Sequence, residues 1–264
     1  MKVRESDIYV FSGTGNTLTI AKKIAEVFNA DGIKAGVHRI EATAPDSVNL
    51  QSTIGIGTTV ACWNTYPMVK KWIKSLPKAD GTEVFLFDSM GDSSLRMLAS
   101  IGKELEKKGY KIIGSKDFVM PNNFLLVETE NKKQEKLNKT IPLVEEFASS
   151  IIKDKADIVK GGTVYSLFFA FTSFLVNTWR WKLSQKIFGF KINNKICTKC
   201  GLCVQICPKN NITMNGFPVF NGNCELCLRC VSYCPAKAIS CRLLYKNKTH
   251  TGIGVQEIKW RSFI

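Results

Sequence analysis

Cys197-Thr198-Lys199-Cys200-Gly201-Leu202-Cys203-Val204-Gln205-Ile206-Cys207-Pro208 returns further along the chain as Cys224-Glu225-Leu226-Cys227-Leu228-Arg229-Cys230-Val231-Ser232-Tyr233-Cys234-Pro235. Both stretches read C-x2-C-x2-C-x3-C-P. Three thiolates at x2 spacing turn inward from one tight loop and occupy three corners of a cubic iron–sulfur group, so the fourth corner needs a thiolate from elsewhere. The alternative is a pair of structural zinc sites. Those use two Cys pairs separated by a longer loop, a pattern that eight Cys in a duplicated triple-plus-one do not suit.

The doubled run is recognised as the one that ligates the two clusters of bacterial-type ferredoxins. There the rigid x3-Cys-Pro step sends the fourth Cys to the opposite cluster. That resemblance implies two [4Fe-4S] clusters. Cluster I takes Cys197, Cys200, Cys203 and Cys234; cluster II takes Cys207, Cys224, Cys227 and Cys230.

Composition fits a reducing compartment. Of ten Cys in 264 residues, only Cys62 and Cys241 fall outside the two runs. Disulfides are rare in such compartments, and Met1–Gly13 offers no apolar signal segment, so a cytoplasmic location is expected. The formal net charge is +15, with much of the excess near the C-terminus: residues 190–264 hold eleven Lys and Arg against Glu225 and Glu257 alone. Each oxidised cluster with four thiolates carries roughly −2, which leaves this part basic. A basic surface points to a redox partner with an acidic face or to an anionic membrane surface. No nucleic-acid motif accompanies the charge, so nucleic acid is not expected as a partner.

The first 160 residues alternate strand and helix patterns. Strand candidates are 7–11, 35–40, 53–60, 83–88 and 111–120; helical periods fill 18–28, 68–75, 94–108 and 132–152. Such alternation argues an α/β fold with a parallel sheet covered on both faces. Five strands at this spacing suit the doubly wound flavodoxin-like order 2-1-3-4-5. The expected layout is that domain over 1–160, an apolar helical linker or docking segment over 161–190, and a small α+β two-cluster ferredoxin-like domain over 191–264.

Ser12-Gly13-Thr14-Gly15-Asn16-Thr17 lies between the first strand and the first helix. Amides at a helix start bind a phosphate without needing a Lys, and glycines let the backbone wrap it closely. Ser12, Thr14, Asn16 and Thr17 add side-chain donors. The loop is neither G-x-x-x-x-G-K-[ST] nor G-x-G-x-x-G, which disfavours nucleoside triphosphates and dinucleotides. The bland alternative is an ordinary turn with N-capping hydroxyls.

This loop resembles the FMN phosphate loop of flavodoxins. The whole layout is similar to flavodoxin–ferredoxin fusion proteins of anaerobes, and Met120-Pro121-x-Asn123 after strand 5 is a further, less specific point of likeness. The resemblance implies FMN, with its phosphate on Ser12–Thr17 and its ring between loops 58–66 and 89–93. In those loops Trp63 and Tyr66 are flat enough to stack on a ring. Asn64 accompanies them, and Ser89, Met90, Gly91 and Asp92 bring backbone N–H groups to the ring's edge. Loop 58–66 contains no glycine, a departure from many flavodoxins.

Residues 161–179 carry no charge and precede Arg180-Trp181-Lys182. A docking helix is the expectation, with peripheral membrane contact over 161–182 and a true span as alternatives. Cys241 is expected as a small buried residue. The function expected is passage of single electrons between the clusters and FMN and on to a redox partner. The alternatives are an FMN-dependent reductase of an organic substrate, and a membrane-docked subunit of a larger redox complex.

Overall fold

The computed structural model describes residues 3–61, 64–122, 128–162 and 189–241. The chain divides into two compact units, one built on Met1–Ser12, Asn16–Pro121 and Glu128–Leu175, the other on Gly13–Gly15, Asn122–Val127 and Val176–Ile264. Most of the expected 161–190 linker lies outside the described residues.

The first unit carries β1 (Glu5–Val10), α1 (Asn16–Ala30), β2 (Lys34–Arg39), β3 (Thr53–Thr59), α2 (Pro67–Ser75), β4 (Glu83–Met90), α3 (Met97–Glu106), β5 (Lys111–Val119) and α4 (Glu130–Ile152). The strands form one five-stranded sheet in the order β2-β1-β3-β4-β5, and every pair is parallel. Parallel strands are buried on both faces, and β3 and β4 show it as nearly unbroken buried runs. Gly55 and Gly57 of β3 are there for a neighbour's sake: a side chain at either would run into the rings of Phe85 and Phe87 on β4. Those rings join Phe28 of α1 and Phe147 of α4 in one aromatic core. Leu18, Ala21, Ile24, Ala25 and Phe28 give α1 its buried stripe. Gly32, at φ 79°, ends that helix: its amide bonds the Asn29 carbonyl and the Ile33 amide bonds that of Phe28.

Most boundaries shift by one to three residues from the sequence expectation, and two of the shifts have a visible cause. β4 runs on through Met90, because Ser89 and Met90 continue to pair with Phe118 and Val119. α3 begins at Met97 rather than Ser94, since Leu95 and Arg96 adopt positive φ of 47° and 60°. The Ser94 hydroxyl donates to Asp117 and accepts the Arg96 amide, which fixes that turn.

The second unit is small. β6 (Phe190–Ile192) pairs antiparallel with β9 (Ile239–Cys241), and β7 (Ile212–Asn215) with β8 (Phe217–Phe220) around Gly216. Two single-turn helices, α5 (Leu202–Gln205) and α6 (Arg229–Ser232), pack together. Its core is Cys203, Ile212, Leu228, Cys230, Val231, Ile239 and Cys241. Cys241 is thus a packed core residue. Among the described residues no helix is long and apolar enough to cross a membrane.

Candidate functional site

The two cysteine runs fold alike. Lys199 and Leu226, each one residue before the second Cys of its run, adopt positive φ of 58° and 56°. Gly201 and Leu228 follow at 73° and 61°, and Asn210 and Lys237 at 48° and 49°. A left-handed leucine carries a steric penalty of about 1–2 kcal/mol, so the matching backbone at Leu226 and Leu228 is held by the packing around the loop.

The loops enclose two cavities. One is lined by Cys207, Cys224, Cys227 and Cys230, the other by Cys197, Cys200, Cys203 and Cys234. Each set takes three thiols from one run and the fourth from the other. Cys203, Cys227 and Cys230 are buried and Cys200 is exposed. Each quartet of sulfurs lines a cavity of its own. Backbone amides of Asn211, Leu226 and Ala238 lie 3.3, 3.2 and 3.2 Å from the sulfurs of Cys207, Cys224 and Cys234, the donors that charged sulfur wants. Burial, with the neighbouring thiols adding to it, pushes Cys224 up to about 12 and Cys230 well above the usual thiol value. Burial likewise pushes Cys203 up to about 11, even though the Val204 amide opposes it. Buried thiols of this kind ionise when a bound cation supplies the opposing charge.

In the first unit the start of α1 and the ends of β3 and β4 are tied by hydroxyls. Thr17 Oγ1 lies 2.7 Å from Thr59 Oγ1 and 2.8 Å from Ser89 Oγ. The Val60 amide donates to the Ser89 carbonyl and the Met120 amide to that of Met90. Asn16 Nδ2 donates to the Pro121 carbonyl at 2.8 Å. Loop 12–17, the end of β3, the end of β4 and the turn after β5 are thereby held at one edge of the sheet, its carboxyl end, where open α/β sheets bind ligands.

That geometry shows the protein surroundings of four residues read from sequence as cofactor contacts. Thr17 Oγ1 contacts two protein hydroxyls, and Asn16 Nδ2 spends one of its two hydrogens on the Pro121 carbonyl, so both side chains are anchored at this edge. Tyr66 is 7% exposed with its ring edge-on to Phe11 at 5.0 Å, an anchor rather than a stacking face. Asn64 is fully buried and closes the Ala61–Asn64 turn, accepting the Thr65 amide on its side chain. Trp63, Cys62 and Asn123 lie outside the described residues. Ser12 and Thr14 are buried in the loop, and Gly15 holds a φ of 104° that favours glycine. Asn16 Oδ1 is buried without a hydrogen-bond partner, an acceptor that a bound molecule's hydroxyl would satisfy. Gly91 is half-buried and Asp92 exposed.

The sequence reading passed over Thr59, Arg229 and Asp88. Asp88 is fully buried beside Ser89, and neither carboxylate oxygen has a hydrogen-bond partner of ordinary geometry. Burial first, then the facing Asp117, raises its pKa well above the carboxylate range. The signal was present: an acid in the apolar run Val84-Phe85-Leu86-Phe87 of a strand buried on both sides.

Residues 190–213 match the 4Fe-4S binding domain family. Among solved structures, a flavodoxin of Megasphaera elsdenii is 25% identical over 56% of this chain and 98% of its own, with a TM-score of 0.44. Flavodoxin 2 of Bacillus cereus is 16% identical over 56% of this chain and 98% of its own, at 0.45, and a Streptococcus pneumonia TIGR4 flavodoxin 15% identical over 57% and 99%, at 0.43. No curated protein matches the sequence. By its strand order and its matched cysteine domain, the chain joins a flavodoxin-like α/β unit to a ferredoxin-type 4Fe-4S unit.

Proposed function

We propose that this chain is an electron carrier that holds FMN on its flavodoxin-like unit and two [4Fe-4S] clusters on its ferredoxin-type unit. The observation that carries the reading is the sorting of eight cysteines into two crosswise quartets, each around its own cavity. Bound clusters supply one-electron transfer at low potential, and bound FMN links one-electron to two-electron chemistry.

The chain's own part is placement. Amides of Asn211, Leu226 and Ala238 favour charged sulfur at three of the ligands. The opening amides of α1 are the phosphate donors, and Gly15, ahead of that helix, gives the backbone its turn. Asn16 Oδ1 is the acceptor left for a ribityl hydroxyl of FMN, and the Thr17–Thr59–Ser89 hydroxyls fix the edge on which the ring rests. The excess of Lys and Arg in residues 190–264 selects a redox partner with an acidic face.

Anaerobic purification with iron, sulfide and flavin quantitation tests the proposal. It predicts about eight iron, eight acid-labile sulfide and one FMN per chain. Stoichiometric zinc without labile sulfide, or clusters without flavin, contradicts it.

A further inference from the structure

The two cavities are alike in thiols and unlike in charge. No charged side chain lines the one formed by Cys197, Cys200, Cys203 and Cys234 among the described residues. Lys209, Glu225 and Arg229 line the other, and Lys209 Nζ lies 3.4 Å from Glu225 Oε1. Arg229 precedes the third Cys of its run, where the first run has Leu202. Arg229 is 1% exposed, the bulkiest among the fully buried side chains. It donates 3.2 Å to the carbonyl of Ile206, the residue before Cys207. One cation therefore spans the two runs at the point where the fourth thiol crosses over. A guanidinium does not deprotonate in a protein, so Arg229 and Lys209 set two positive charges on this wall against the one carboxylate of Glu225. A cluster with four thiolates carries a net negative charge, which that surplus on the same cavity complements.

We infer that Arg229 is the potential-setting and positioning residue of the cluster held by Cys207, Cys224, Cys227 and Cys230, a role that rests on the two-cluster reading. A fixed positive charge in a low-dielectric wall stabilises the more negative, reduced cluster and raises its potential. Leu202 gives the other cluster no such help.

The test is an anaerobic redox titration of the full chain followed by electron paramagnetic resonance, on wild type, Arg229→Gln and Arg229→Lys. Gln keeps a donor for Ile206 and removes the charge; Lys keeps the charge. In Arg229→Gln one of two midpoints is expected to fall, its reduction constant weakened about tenfold, which is 59 mV for one electron. The other midpoint moves far less, and Arg229→Lys lies near wild type. Loss of half the iron in Arg229→Gln alone, with Arg229→Lys fully loaded, also shows that the charge holds the cluster. Unchanged midpoints in Arg229→Gln, or equal iron loss in both variants, overturn the inference. Wild-type protein with about four iron overturns the two-cluster reading itself, and is distinguished by needing no variant.

Discussion

In the function proposed, the flavodoxin-like unit and the ferredoxin-type unit meet the same demand, holding a redox group rigidly, from opposite starting points. In the first, Phe28, Phe85, Phe87 and Phe147 build an apolar core between sheet and helices, and the ligand edge is hung on it by backbone and hydroxyl contacts. In the second, Cys203 and Cys230 are themselves members of the core, and the strands around them are three or four residues long. The core among the described residues is small, and a core of this size leans on a staple. The lesson is that the first unit should fold and then bind, while the second should fold by binding.

Iron removal breaks or confirms that contrast with the largest effect. Anaerobic chelation should unfold the second unit and leave the first intact, since binding and folding are one equilibrium in small metal domains. Limited proteolysis should then cut within 190–241 and spare the sheet. Equal protection of both units without iron contradicts the contrast.

Gly15→Val sharpens it from the other side. A branched residue at φ 104° is strained by about 1–3 kcal/mol, so the loop deforms. FMN affinity should drop at least about tenfold, which 1.4 kcal/mol suffices to produce. Circular dichroism and iron content should stay at wild-type values. Unchanged flavin occupancy means that the phosphate lies elsewhere.

Asp88→Asn gives a smaller, pH-dependent effect confined to the first unit. The folded pKa of Asp88 is raised, so the folded state holds its proton after the unfolded chain has lost it. Its stabilising neutral form is fully favourable below the unfolded pKa of about 3.9, and that contribution declines as pH rises toward the folded pKa. Stability falls by about 1.4 kcal/mol for every pH unit climbed between those two values. Asn removes the slope and makes the first unit more stable than wild type at neutral pH. Denaturant titrations at about pH 4, 6 and 8 check this. A wild-type slope retained in Asp88→Asn contradicts it.

How much of this was legible in the sequence follows the range of the forces involved. The five strands and four long helices of the first unit come from local periodicity, and the cysteine spacing is a local property too. The commitments of Thr17 to Thr59 and Ser89, and of Asn16 to Pro121, reach across 42, 72 and 105 positions, which no local pattern records. Tyr66 read as a ring platform because its packing against Phe11 is tertiary. Leu228 hides a left-handed backbone that Gly201 advertises at the matching place in the first run, while neither Lys199 nor Leu226 shows its own. Asp88 and Arg229 stood in view as charges among apolar or cysteine neighbours, and burial gives them their meaning.

The central claim is that the fourth thiol of each run belongs to the other run's site. The most direct test compares Cys207→Ala, Cys227→Ala, Cys200→Ala and Cys234→Ala by electron paramagnetic resonance of anaerobically reduced protein. The account predicts that Cys207→Ala and Cys227→Ala perturb one cluster, and that Cys200→Ala and Cys234→Ala perturb the other. If Cys207→Ala instead reproduces the spectrum of Cys200→Ala, each run closes on itself and the crosswise arrangement is wrong.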